Sequence, residues 1–269
     1  VSVNSSQTGL NKSANITLYG SPANGIRSPV IMRDDRRCPK GKCKLLTDIN
    51  AETVKFNVTG WITNYSIGPL NTSISACTEL DVPHTYYFQV VDIVALGPGA
   101  CINITVNNVT FDGRGFSITS AANIEAVYTN SSDIKIQNAS ADVGVGTGGN
   151  GIKFHNATNS IALNNSLTGS DIGIFLNLSS NITIVNNSVS INDLGIRISR
   201  SDNDTIEYNI ANLNSLFGLQ IEVDSDNNLI RNNTFNSNVN NGIIIILNSD
   251  HNIIENNSAS PACTTTGCA

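Results

Sequence analysis

Charge is what this sequence has least of. Asp, Glu, Lys and Arg make up 13% of 269 residues, and 15 basic against 21 acidic side chains leave a net charge of −6. A chain so poor in cations has no electrostatic footprint for nucleic acid, and no nucleic-acid partner is expected. Long apolar runs are missing too. The 40% of hydrophobic residues falls in short stretches, none near the roughly 20 residues of a membrane-spanning helix. Histidine is limited to His84, His155 and His251, too scattered to complete a zinc site with Cys38-Pro-Lys-Gly-Lys-Cys43, so no metal is expected. Gly144-Val-Gly-Thr-Gly-Gly lacks the Lys-Ser/Thr and the following helix of a phosphate cradle and reads as a loop, and no cofactor is expected. No leader precedes Val1, so an exported form is expected to be mature as it stands.

Asparagine is in excess. There are 40, and 18 of them open an Asn-x-Ser/Thr acceptor for N-glycosylation. With roughly a fifth of residues Ser or Thr, composition alone predicts about 8 such acceptors. The acceptors are Asn4, Asn11, Asn15, Asn57, Asn64, Asn71, Asn103, Asn108, Asn130, Asn138, Asn156, Asn164, Asn177, Asn181, Asn186, Asn203, Asn232 and Asn256. Turns of a repetitive β fold favour Asn, Ser and Thr, which accounts for part of the excess but not for the acceptors in the first 75 residues. Covalent N-glycans, and with them an extracellular or cell-surface location, are the expectation. Six cysteines in an exported chain fit three disulfides, the simplest connectivity being Cys38–Cys43, Cys77–Cys101 and Cys263–Cys268.

From about Asn150 to Ser258 the sequence repeats. Gly151, Gly173, Gly195, Gly218 and Gly242 each open an apolar stretch, at spacings of 22, 22, 23 and 24 residues. That is the period of a solenoid turn, and short β-branched strands split by Asn, Ser, Asp and Gly make it a parallel β-helix. Asn165, Asn187, Asn209, Asn233 and Asn257 line up through all five coils. An inward amide there would bond polar groups of the coils above and below. In Asn164-Asn165, Asn186-Asn187, Asn232-Asn233 and Asn256-Asn257 the first residue is the acceptor and points out, so sugars would lie outside and the ladder inside. Alternation also sends Lys153 and His155, Phe175 and Asn177, Arg197 and Ser199, and Gln220 and Glu222 outward. The last coil departs from the polar rule. Its outward pair is Ile244 and Ile246, so that strand expects cover on both faces.

Residues 1–75 lack the repeat. Ala14–Tyr19, Ser28–Met32, Thr53–Thr59 and Ile62–Ile67 read as strands of a small β-sandwich-like domain, led by an extended N-terminal tail or arm. The charge-dense Arg33–Lys44 reads as an exposed loop tied by its own disulfide. The solenoid takes residues 76–260, and 261–269 form a C-terminal disulfide loop. Between Cys77 and Ala121 the paired Cys77 and Cys101 and the phrase Asn108-Val-Thr-Phe-Asp-Gly-Arg-Gly-Phe-Ser-Ile lead into the Gly-Ile…Asn-Asn-Ser coils. This stretch resembles the right-handed parallel β-helix repeat proteins, a group with NosD-like periplasmic proteins, carbohydrate-binding and sugar-hydrolase domains, and archaeal surface proteins. The resemblance implies an all-β, right-handed parallel β-helix; function it specifies poorly, because the scaffold hosts many tasks. Gln137 is expected at the ladder place of its own coil.

Polysaccharide-cutting β-helices need clustered carboxylates. The acids here fall mainly in turns. Asp202, Asp226 and Asp250 could stack and bind calcium, but Asx-turns capping each corner are favoured. Arg197, Arg200 and Arg231 form no evident set with Glu222 and Asp224, and no lyase or polygalacturonase motif is present. The expectation is therefore not an enzyme. Beyond Ser258 the tail is too short to cap the last coil, so the N-terminal domain of another copy is expected to cover it, with Ile244 and Ile246 at the interface. Head-to-tail contact of unlike surfaces yields an open polymer, here a glycosylated filament or surface layer, with an archaeal source favoured by the low charge and dense glycans. The alternative is a non-catalytic polysaccharide-binding or adhesin module using Phe175, and behind it a polysaccharide-degrading enzyme.

Overall fold

The computed structural model of the chain describes residues 12–20, 23, 29–33, 36–39, 41–60, 64–69, 71–144 and 148–260. It divides into two compact units, Val1–Thr72 with His84–Tyr86, and Ser73–Pro83 with Tyr87–Ala269. Asn4 and Asn11, the N-terminal arm and the segment 261–269 with Cys263 and Cys268 lie outside the described residues.

In the first unit two three-stranded antiparallel sheets follow from alternating patterns. Thr53–Val58 lies between Ala14–Tyr19 and Cys43–Leu45, and Pro29–Arg33 lies between Arg36–Arg37 and Tyr65–Pro69. Val54, Phe56 and Val58 point inward and are fully buried, whereas Lys55 between them is exposed. They pack with Ile16, Ile31, Tyr65 and Ile67. The hydroxyl of Tyr65 donates to the carbonyl of Gly60 at 2.6 Å, so the largest core side chain buries no unpaired phenol. Cys38 and Cys43 are bonded.

The second unit is a parallel β-helix of about seven turns. A long-strand sheet runs through Gly99–Ile104, Ile124–Thr129, Asn150–His155, Ile172–Asn177, Leu194–Ser199, Phe217–Glu222 and Asn241–Ile245, with Thr78–Leu80 at its edge. A second sheet stacks Thr110–Asp112, Lys135–Gln137, Ile161–Leu163, Thr183–Val185, Thr205–Glu207, Leu229–Arg231 and Ile253–Glu255. A third starts at Ile93–Val94 and continues through Ser117–Thr119, Ser140–Asp142, Ser166–Thr168 and Ser188–Val189. Ile210, Thr234 and Ser258 carry it on as single bridges.

One coil has too little surface to bury itself, and stacking supplies the core. Ile102, Val127, Ile152, Ile174, Ile196 and Leu219 pair in register along the inner row, and each is fully buried. The glycine that opens each repeat is required by close approach. At Gly173 a Cβ would overlap the side chain of Val189 and stand 2.8 Å from the carbonyl oxygen of Gly195. Cys77 and Cys101 are bonded, which ties the edge strand Thr78–Leu80 to its neighbour.

The corners explain much of the asparagine. Asn108, Asn138, Asn156, Asn164, Asn181, Asn186, Asn203, Asn232 and Asn256 all have φ between 50° and 60°. Asparagine tolerates that left-handed region far better than most residues. A Ser or Thr two residues on opens the next strand or bridge, as at Thr110, Ser140, Ser166, Thr183, Ser188, Thr205, Thr234 and Ser258. At these nine corners the coil favours the acceptor sequence on conformational grounds; Asn103, Asn130 and Asn177, also acceptors in the β-helix, have no positive φ. The described acceptor asparagines are none of them buried.

Inside, the amide ladder is continuous. Asn187 Oδ1 accepts the backbone and side-chain nitrogens of Asn165 at 2.9 Å each, and Asn209 Oδ1 does the same for Asn187. Asn233 and Asn257 extend it. One expectation fails at its upper end. Gln137 is not in the ladder: its side chain is on the outer side, donating to Asp112 Oδ2 at 2.9 Å, and the ladder place is Ala139, whose N–H donates to Asn165 Oδ1. Three more columns accompany it, Ser179-Ser201-Ser225-Ser249, Asn192-Asn214-Asn238 and Asp204-Asn228-Asn252.

Candidate functional site

The outer face of the long-strand sheet carries the chemistry. Parallel pairing without slippage puts Tyr128, Lys153, Phe175, Arg197 and Gln220 in one row, and His155, Asn177, Ser199 and Glu222 in the row two residues on. Successive coils are about 4.8 Å apart, so the rows span roughly 19 Å along the solenoid axis. Although they point outward, these side chains shelter one another: Ser199, Gln220 and Glu222 are buried and the others are half-buried.

Charge here is arranged in pairs. Lys153 Nζ lies 3.1 Å from Glu125 Oε1. Arg197 donates through Nε at 2.9 Å and Nη2 at 2.5 Å to Glu222 Oε1, while Gln220 Nε2 donates to Oε2 at 2.7 Å. The two carboxylate oxygens of buried Glu222 are thus both satisfied. This corrects the expectation that the arginines make no set with the acids. The repeat lengths hide the pairing, because Arg197 and Glu222 are 25 residues apart in sequence but on adjacent coils. Arg231 pairs instead with Glu207 on the second sheet, at 2.8 Å, and Arg200 is exposed.

Between the pairs sit the aromatic groups. Phe175 has Lys153 Nζ 5.7 Å and Arg197 Cζ 5.2 Å from its ring centre, one cation from each neighbouring coil. Tyr128 and His155 are stacked, centroids 6.5 Å apart and planes 28° from parallel. Asn177 Nδ2 stands 3.0 Å from His155 Nδ1. With the amide nitrogen donating, Nδ1 is the acceptor, and the Nε2 edge of the ring has no protein partner among the described residues. The same holds for the Tyr128 hydroxyl. Burial, and then the nearby Glu125 carboxylate, hold that phenol above its ordinary range, so it stays a hydrogen-bond donor.

The face therefore presents four unspent polar groups on two adjacent rows: Tyr128 Oη, the remaining Lys153 ammonium hydrogens and Arg197 Nη1 on one, and His155 Nε2 on the other. Alternation alone identified the outward residues except Tyr128, whose coil lacks the leading glycine; its register with Lys153 was the signal available. Asp202, Asp226 and Asp250 lie at a corner, where Asp202 and Asp226 each accept the amide of the next coil's aspartate, at 2.8 and 2.6 Å. Among the described residues no three His, Cys, Asp or Glu stand together as a metal set. Ile244 is half-buried and Ile246 is 37% exposed, next along the two rows. Among the described residues no helix is long and apolar enough to cross a membrane.

Residues 93–259, more than half of the chain, match the family described as a right-handed β-helix region. No curated protein matches. Among solved structures, the Dettilon tailspike protein gp208 shares 16% identity at a TM-score of 0.55, covering 70% of this chain and 42% of that one. The enzymatically active domain of tailspike protein 2 from bacteriophage CBA120 shares 11% at a TM-score of 0.53, covering 93% and 53%. The periplasmic alginate epimerase AlgG follows at 14% and 0.45, covering 64% and 50%. The chain spans about half the length of the solved chains it matches. At these identities the likeness establishes the fold alone.

It also overturns one expectation. The exclusion of an enzyme rested on a missing lyase motif and scattered acids. Tailspike protein 2, which shares this fold, has a domain described as enzymatically active, so the exclusion is withdrawn.

Proposed function

This chain belongs to the right-handed β-helix family, and on that premise we propose that the outer face of its long-strand sheet binds or processes a polysaccharide. The observation that carries the reading is the set of unspent donors around Phe175, with Tyr128, Lys153 and Arg197 in its row and His155 in the next. A polysaccharide offers a row of oxygen acceptors at a regular spacing. A face whose donors recur with the coil, half-sheltered from water and already oriented by Glu125, Asn177 and Glu222, suits such a ligand better than one compact small molecule. The tailspike neighbours share the scaffold on which the face is built.

The location belongs to the same proposal: bonded Cys38–Cys43 and Cys77–Cys101 suit an oxidising compartment, so the protein is read as extracellular. N-glycans are proposed at the exposed corners, such as Asn156, Asn164, Asn181, Asn186 and Asn203, and not at Asn103 and Asn177, the half-buried acceptors on the long-strand face. Self-association through Ile244 and Ile246 is a second, separate reading, supported by the apolar outer side of Asn241–Ile245; a monomer at high concentration in sedimentation would remove it.

Retention on a panel of immobilised neutral and acidic polysaccharides, with chromatography of the eluted sugar, tests the main proposal. The expected result is retention of one polysaccharide class, weakened by His155→Ala and Tyr128→Phe and untouched by Lys135→Ala on the second sheet. No retention and no altered sugar across the panel would sink it.

A further inference from the structure

A carboxylic acid stands in the core where the two following coils use an amide. Down one corner of the solenoid, side-chain oxygens accept the backbone N–H of the coil before in every coil from Ser160 to Asn252 except that of Ile182. Ser160 Oγ accepts from Ile134 at 3.0 Å, Asp204 Oδ1 from Ile182 at 2.7 Å, Asn228 Oδ1 from Asp204 at 2.8 Å and Asn252 Oδ1 from Asn228 at 2.9 Å. The asparagines spend their NH2 groups as well, Asn228 on the carbonyl of Ser201 at 3.1 Å and Asn252 on that of Ser225 at 2.9 Å. In the register of this column the matching carbonyl for Asp204 is that of Ser179. Asp204 is 1% exposed, and its Oδ2 is buried without a hydrogen-bond partner among the described residues.

We propose that Asp204 is a proton-dependent lock: held as a neutral carboxylic acid it takes the place of a ladder amide, and its ionisation loosens the stack around its coil. A protonated Oδ2 is a donor, as the column requires; an ionised one is an unpaired charge in an apolar interior. The groups packed against it from the two flanking coils, Ile182 and Asn228, carry no charge. Asp202, on the same corner of its own coil, is the charged group that acts on it, and its sign is the same. Burial first, with Asp202 adding and the Ile182 N–H opposing, pushes the carboxyl up from 3.8 to about 8. The folded chain then keeps this proton until about pH 8, whereas the unfolded chain releases it near 3.8. Because this group holds a proton in the folded state between those values, its contribution to stability is fully present below the lower one, falls as pH rises and is lost above the higher.

The test is equilibrium unfolding of the full chain from acid to mildly alkaline pH, for wild type, Asp204→Asn and Asp204→Ser, the last copying the occupant of this slot at Ser160. In wild type the unfolding constant should rise by up to roughly tenfold per pH unit between the two pKa values. In both variants the difference from wild type should grow across that window in favour of the variant. If Asp204→Asn fails to fold, Asp204→Ser carries the same comparison. A wild type and variants whose pH profiles run parallel would overturn the proposal, as would wild-type exchange of the Ile182 amide that follows hydroxide alone through that window.

Discussion

Adjacent asparagines in one coil should behave as different kinds of residue. Asn187 is buried at 2% exposure; its Oδ1 accepts Asn165 N and Nδ2, and its Nδ2 donates to Ala162 O, Val185 O and Asn209 Oδ1. Asn186 is exposed, in the left-handed region at φ 56°, and its side chain has no partner among the described residues. Asn187→Ala removes the acceptor of the buried Asn165 N–H and the donor to the Ala162 carbonyl. Stranding two such groups at roughly 1–3 kcal/mol each gives a loss of about 4 kcal/mol. Asn186→Ala forfeits only the ease with which asparagine adopts the left-handed corner, about 1 kcal/mol. Denaturant unfolding of protein made without glycans, with the slope compared as well as the midpoint, reads both. Equal losses, or a larger loss at Asn186, would refute the ladder as a source of stability.

The other consequences concern the ends and seams of the stack. Replacing Cys77 and Cys101 together by Ser opens a cross-link with a sequence separation of 24 residues, and a loss of about 3 kcal/mol is expected, measured by unfolding with and without reductant. Gly173→Ala should cost about 1–3 kcal/mol, because the new methyl group meets Val189 and the Gly195 carbonyl. Gly115→Ala, with open space but φ 78°, should lose stability through the backbone alone, and a lower melting temperature for Gly173→Ala than for Gly115→Ala separates the two causes.

Much of the fold was legible because it repeats. Five glycines at near-equal spacing set the coil, and the aligned Asn165 to Asn257 marked its interior corner. Three further columns escaped notice; two are uniform, Ser179 to Ser249 and Asn192 to Asn238, whereas the third is mixed, Asp204 sharing its place with Ser160, Asn228 and Asn252. Gln137 misled for a related reason. Its coil is offset by 26 residues at that corner, which gives the ladder place to Ala139, a residue with no polar group to announce it. The acceptor sequences were legible as a count, but their cause was not: a left-handed corner followed by a strand-opening Ser or Thr is a backbone property, visible only in φ. At the outer face, alternation gave the direction of Lys153, His155, Arg197 and Glu222, while their pairing needed the inter-coil register.

The claim on which this account turns is that the row from Tyr128 to Arg197 is where a sugar chain lies. Equilibrium binding of the polysaccharide retained from the panel should be compared for wild type, a combined Tyr128→Phe, Lys153→Gln, His155→Ala variant, and a matched variant of the second sheet carrying Lys135→Gln and Thr183→Ala. At least a tenfold weakening is expected for the first variant alone, with unfolding midpoints showing that it remains folded. Affinity unchanged in that variant, or reduced as much by the second-sheet substitutions, would contradict it.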